Sequence, residues 1–240
     1  MIAPLGHSWR RAHEEYEDFT MANRVGTDIR DITRIAVFAA ILAVLGIPGA
    51  IPVFGGAVPI TAQTLGVMLA GAILGSWRGA AAVAVFELLV LVGLPLLSGG
   101  RGGIAVFAGP SVGYLIGWIV GAFVIGAIVR ADTRKPTWWR TALGCFVGGI
   151  VVVYALGIPF QSLITGLPLA TTALSSAVFV PGDLVKVVVA TIVTLALWRA
   201  YPRAFDRGAR ATPPELKVAP HDTVAPQNTV APAERGARTE

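Results

Sequence analysis

Two ionisable residues of opposite sign, Asp183 and Lys186, stand three apart in Pro181-Gly-Asp-Leu-Val-Lys186, at the head of an apolar run from Leu184 to Trp198. On a helix that spacing puts both on one face. An acid and an ammonium so placed can neutralise each other, or can serve a polar ligand as neighbouring acceptor and donor. The run around them is Val, Ala, Leu, Ile and Thr. Placing an ionisable side chain at a bilayer centre costs about 2.5–3.5 kcal/mol, so such residues face the protein interior and mark a pathway or a site.

Four further side chains carry chemistry that such a site can use. Gln63, in Pro59-Ile-Thr-Ala-Gln-Thr64, heads a second apolar run, where an amide either caps a helix or faces a ligand; capping is the expected role. Glu87 is the one acid besides Asp183 inside the apolar region, and it is protonated, pairs with Lys186 or binds ligand. Arg101 stands in Ser98-Gly-Gly-Arg-Gly-Gly103. Glycines allow close backbone approach and the guanidinium fork matches a carboxylate, although a flexible solvated loop explains this stretch equally well. Tyr114, just inside a fourth run, is either interfacial or pocket-lining.

Other chemistries are excluded by what the chain lacks. Gly109-Pro-Ser-Val-Gly113 matches the nucleophile-elbow pattern, but that motif needs a strand-turn-helix and a histidine base. His7, His13 and His221 all lie in the polar terminal segments. There is no Gly-x-x-x-x-Gly-Lys-Ser/Thr phosphate loop, so the chain is not itself an ATPase of that type. Cys145 is the single cysteine, which rules out an intramolecular disulfide and a cysteine-cluster metal site. No enzyme, metal or cofactor is expected.

The elements that must position these residues are membrane helices. Apolar residues make up 55% and charged residues only 14%, where soluble chains carry about 25% charged; the mean hydropathy is +0.70. Long apolar runs span about Ile32–Leu45, Pro59–Ser76, Gly79–Leu94, Val112–Val129, Trp138–Leu156 and Leu184–Trp198. The second is short for a span of about 20 residues, which predicts a tilted or partly irregular helix. Gly46-Ile-Pro-Gly49 and Ile158-Pro159 are expected to stop the first and fifth. The loop Phe160 to Phe179 is uncharged and mildly apolar, suited to a lid on the mouth of the bundle or to a shallow interfacial segment.

Charge sets the topology. All but two of the 19 Lys and Arg fall in the N-terminal segment, at Arg78, in the 130–140 connection or in the C-terminal tail; the exceptions are Arg101 and Lys186. By the positive-inside rule this predicts six spans with both termini cytoplasmic. The net charge of +5 therefore reports topology, and nothing here resembles a nucleic-acid platform. The chain divides into a polar N-terminal segment (1–31) without the pattern of a cleavable signal peptide, a six-helix membrane domain (32–199) and a tail (200–240). The tail, rich in Pro, Ala and Arg, buries too little to fold. Helix six then enters from outside near Gly182, and Lys186 lies about 6 Å in. The pair belongs to an outward-facing pocket with Arg101 at its rim.

Five stretches together resemble the BioY family, the biotin-binding S-components of energy-coupling-factor (ECF) vitamin transporters. They are Val58-Pro-Ile-Thr-Ala-Gln-Thr-Leu-Gly66, Ala70-Gly-Ala-Ile-Leu-Gly75 with Gly79, Gly93-Leu-Pro95, Gly109-Pro-Ser-Val-Gly-Tyr-Leu-Ile-Gly117 and Pro181-Gly-Asp-Leu-Val-Lys186. The resemblance covers about residues 30–199 and neither tail. It departs from the usual pattern at Leu96-Leu97 and Ser111.

The resemblance implies a six-helix bundle in the cytoplasmic membrane that binds biotin from outside and passes it inward, together with a transmembrane T-component and a pair of ABC-type ATPases. It implies Asp183 and Lys186 as ligand residues, with Gln63, Arg101 and Tyr114 beside them and Glu87 near a polar ligand position. The Ala36 and Ala40 face of the first helix resembles the T-component docking surface; small residues four apart let helices approach closely in lipid, which internal packing explains as well. Biotin pairs a ureido group with an apolar ring and a carboxylate tail. Asp183 can accept from the ureido N–H groups, Lys186 can donate to its carbonyl, and Arg101 can hold the carboxylate; the reverse orientation stays open. The alternatives are a solitary secondary biotin transporter without ATPases and an S-component for another vitamin.

Overall fold

The computed structural model describes residues 29–47, 61–131 and 135–205. The N-terminal segment before Ile29, the stretch 48–60 and the tail after Phe205 lie outside the described residues, and so do the expectations that fall on them. Among the described residues every regular element is helical; the one bridge, Leu97 with Arg101, closes a tight turn.

Helix α1 covers residues 29–44 and ends in a turn at 45–47, as Gly46 predicts. Its small residues divide between two faces. Ala39 is buried with Leu42 in the core, and Ala43 packs against it, while Ala36 and Ala40 are exposed. Helices α2 (Gln63–Leu74) and α3 (Ser76–Leu91) meet at Gly75, whose φ of 88° lies in the region that favours glycine. A short α4 (Ile104–Phe107) leads into α5 (Val112–Val129), whose bounds match the fourth apolar run.

Two expectations are corrected beyond this point. Pro159 does not end the fifth helix: α6 runs from Trp138 to Thr165, with a π-helical segment at Val147–Val152 and Pro159 inside its last part. A proline lacks only its own N–H, and membrane helices tolerate the freed carbonyl where neighbours re-satisfy it. The helix ends instead at Gly166, in the left-handed conformation at φ 70°. The stretch Phe160 to Phe179 is likewise helical, not a loop. It completes α6, forms α7 (Leu169–Ser176) and passes through a 3₁₀ turn at Ala177–Phe179 into α8 (Val180–Ala200). Its Thr and Ser hydroxyls bond back to carbonyls one turn earlier, as Thr172 does to Pro168 and Ser176 to Thr172, which suits a helix as well as a loop.

Helix α5 is the hub, packing on α2, α3 and α6, while α8 packs on α2 and α6. Gly113, Gly117 and Gly121 recur every four residues and form the seam with α6. A Cβ at Gly117 would stand 3.0 Å from the Val153 Cα, and Gly121 and Gly148 face each other so closely that neither has room for a side chain. This close approach of small residues is what holds helices together in lipid.

The two ends of the bundle differ. At one, Arg130 donates to the Ile73 carbonyl and, at 3.1 Å, to the Phe205 carbonyl, and Arg78 pairs with Asp31 at 2.8 Å. Arg130 thereby ties the ends of α2 and α5 to the 3₁₀ turn that follows α8, and Arg78 ties α3 to α1. At the other end the heads of α2, α5 and α8 surround a cavity. Among the described residues three helical stretches, Val112–Val129, Trp138–Thr165 and Leu169–Ala200, are long and apolar enough to cross a membrane. Their outward faces carry Leu163, Leu174, Val185, Val188 and Ile192, each exposed. That surface matches lipid and would be a liability in water.

Candidate ligand-binding site

The cavity encloses about 60 Å³ and opens into a wider mouth, the two together making about 610 Å³ of free space. Most of its wall is apolar, from Leu97, Leu115, Trp118, Val153 and Phe179. Into that wall project polar groups from separate elements: Thr61, Gln63 and Thr64 at the head of α2, Ser111 and Tyr114 at the head of α5, Tyr154 on α6, Asp183 and Lys186 on α8, and Arg101 from the loop before α4.

The pair that opens α8 is made in the structure. Pro181 sits in the first helical turn, where its missing N–H costs nothing, and Asp183 beside it meets the positive end of the helix dipole. Lys186 Nζ donates to Asp183 Oδ1 at 2.8 Å and to Thr64 Oγ1 at 2.7 Å. The Tyr154 hydroxyl donates to the other carboxylate oxygen, Oδ2, at 2.5 Å. Three helices thus converge on one buried ion pair, Asp183 being 4% exposed. An ion pair out of water is tolerable only when such extra hydrogen bonds satisfy it.

A second polar group closes the adjoining wall. The Tyr114 hydroxyl donates to Gln161 Oε1 at 2.8 Å and lies 2.9 Å from Ser176 Oγ, joining α5, α6 and α7. Tyr114 is buried and lines the pocket. Its ring meets the Tyr154 ring edge-on at 6.4 Å between centroids, so the two phenol groups support each other.

Gln63 does not cap α2, which has no side-chain cap. Its amide instead donates to the Leu42 and Leu96 carbonyls at 3.1 and 3.0 Å and accepts the Ser98 N–H at 3.1 Å. It ties the end of α1 and the 96–98 turn to the cavity rim. Arg101 lines the cavity from that turn, its Nε donating to the Ser98 carbonyl at 3.4 Å. Partial desolvation lowers its pKa from the usual arginine value, a setting in which a guanidinium gains from an anionic partner.

Glu87 stands apart. It is buried in α3, its Oε1 has no hydrogen-bond partner among the described residues, and it does not line this cavity. The pairing with Lys186 offered by the sequence is not made, because Lys186 is engaged by Asp183 and Thr64.

Thr61, Thr64, Ser111, Tyr154, Trp118, Gln161 and Ser176 are among the cavity and network residues that the amino-acid sequence does not single out as a site. A signal existed for two of them: Tyr154 and Gln161 are seven apart, which returns to one helical face. Reading the fifth run as ending at Pro159 separates them.

Comparison with known proteins places the chain in a family. The family model described as the BioY family matches residues 18–203. The chain is 48% identical over 185 residues to a biotin transporter BioY of Rhodobacter capsulatus, covering 73% of this chain and 96% of that one. It is 46% identical over 178 residues to a biotin transporter BioY of Rhizobium etli, covering 72% and 95%. Its structure is similar, with a TM-score of 0.68 and 34% identity over 72% of this chain and 93% of the other, to the crystal structure of the S-component for biotin from an ECF-type ABC transporter. An all-helical membrane fold, a polar cluster in an apolar cavity and a match along most of the sequence coincide, and the chain belongs to the BioY family.

Proposed function

We propose that this protein takes up biotin across the cytoplasmic membrane as the substrate-binding S-component of an ECF-type ABC transporter. The observation that carries the reading is the braced Asp183–Lys186 pair in an apolar cavity of a chain whose relatives are named biotin transporters. The pair offers an acceptor beside a donor, and its charges cancel. It suits a neutral group with an N–H next to a carbonyl, such as the ureido ring, better than a carboxylate. Arg101 makes no salt bridge among the described residues that line the cavity, and it is the group we assign to the carboxylate tail. Tyr114 and Gln63 shape the wall around the ligand, whereas Glu87, outside the cavity lining, is assigned no ligand contact.

The protein acts as a carrier subunit and not as an enzyme. Six spans with both termini cytoplasmic would put the cavity at the outer face and the Arg78, Arg130 and Arg140 end inside. The exposed Ala36 and Ala40 face of α1 is the surface we assign to a T-component, which works with a pair of ABC-type ATPases. Purification from biotin-fed cells tests the reading: biotin should accompany the protein in a near one-to-one ratio, and a ligand-free preparation that also fails to take up added biotin would refute it.

A further inference from the structure

We infer that Tyr154 is a positioning residue for ligand recognition, its phenol fixing the Asp183 carboxylate in the orientation that meets the polar ring of the bound molecule. The inference rests on the biotin reading above.

A carboxylate has two oxygens and about four acceptor sites, and its terminal torsion is soft. Lys186 alone would hold Asp183 at one oxygen, from the same helix and one turn away, and would leave the carboxylate free to turn. Tyr154 takes the other oxygen from α6, across the cavity wall. With both oxygens held from different helices, the plane of the carboxylate is set and one acceptor site on each oxygen is left for ligand. Lys186 is fixed in turn by Thr64 on α2, leaving it one N–H to give. The result is an acceptor and a donor side by side in a set geometry, the complement of an N–H beside a carbonyl in a ring.

The fold aims Tyr154 at this task. The π-helical segment ends at Val152, two residues before it. Wider turns rotate every later side chain relative to a continuous α-helix, and π segments recur at functional sites. The Tyr114 ring meets the Tyr154 ring edge-on and adds a second contact to it. Neither feature depends on the hydroxyl, so removing it should alter recognition and leave the packing intact.

Tyr154→Phe tests this. Biotin affinity by calorimetry should fall about tenfold or more, the scale of one hydrogen bond to a charged group. Because a hydrogen bond to the buried Asp183 is lost as well, the melting temperature of the ligand-free protein should fall modestly while the protein stays folded. In cells carrying the whole transporter, the biotin concentration for half-maximal uptake should rise while maximal uptake is kept. The loss should be equal for biotin and biotinamide, since the carboxylate end is untouched. Unchanged affinity, unequal losses for biotin and biotinamide, or a fall in maximal uptake would overturn the inference. Failure of the wild type to bind biotin would instead overturn the functional reading beneath it.

Discussion

Gln63 accepts the Ser98 N–H on its side-chain oxygen at 3.1 Å while its amide nitrogen serves the Leu42 and Leu96 carbonyls, so a single buried side chain anchors both the end of α1 and the turn that carries Arg101. The amide matches two acceptors and one donor of the backbone that would otherwise be unsatisfied. Gln63→Ala should therefore lower the melting temperature of the ligand-free protein, with a cost of about 2 kcal/mol or more from the orphaned groups. Biotin binding should weaken as a consequence. An unchanged melting temperature with lost binding would move Gln63 from the frame of the site to direct ligand contact.

Arg101 is assigned to the carboxylate, which makes its removal ligand-selective. Arg101→Met should weaken biotin binding about tenfold or more, as expected for a lost charge-assisted pair. The same change should leave biotinamide binding within about twofold of wild type on this scale. Equal losses for the two ligands in calorimetry would return the carboxylate to Lys186.

The two faces of α1 predict opposite outcomes for the same substitution. Ala36→Leu with Ala40→Leu changes an exposed face and should spare biotin binding by the isolated protein, yet reduce ATP-driven uptake by holding helices apart. Ala39→Leu overfills a position only 3% exposed and should destabilise the isolated protein by about 1–3 kcal/mol. Binding and uptake assays on both variants decide between docking surface and core.

What the sequence made legible, and what it did not, follows from which forces are local. The fourth run reads correctly to the residue, because an uninterrupted apolar stretch bounded by Pro110-Ser111 and Arg130 leaves no choice of limits. Asp183 and Lys186 are legible because a helix fixes the distance between residues three apart, and the pair forms at 2.8 Å. Pro159 and the 160–179 stretch mislead for a common reason. Local propensity reads a proline and a run of Thr, Ser and Gly as a break, whereas packing of α6 on the glycine seam of α5 and of α7 on α6 keeps them helical. Tyr154 escapes because its partner is 29 residues away on another helix, and only tertiary structure brings the two together.

Topology has its own test. Tags at residues 5 and 235 should both be cytoplasmic, since all but two of the 19 basic residues lie on that side in the six-span arrangement. A chain ending at Arg210 should insert and bind biotin as the full chain does. An externally accessible terminus, or binding lost on truncation, would contradict these expectations.

The central claim is that the Asp183–Lys186 pair recognises ligand and does not merely neutralise itself. Calorimetry of biotin against the Asp183→Asn, Lys186→Met double variant measures this most directly. Removing both charges avoids the penalty of one buried partner left alone, so the double variant should fold and melt near the wild type. A site built to hydrogen-bond a polar group and now lacking its charges should nevertheless lose biotin affinity by about a hundredfold or more. Wild-type affinity in a folded double variant would contradict the account and leave the pair a feature of the fold alone.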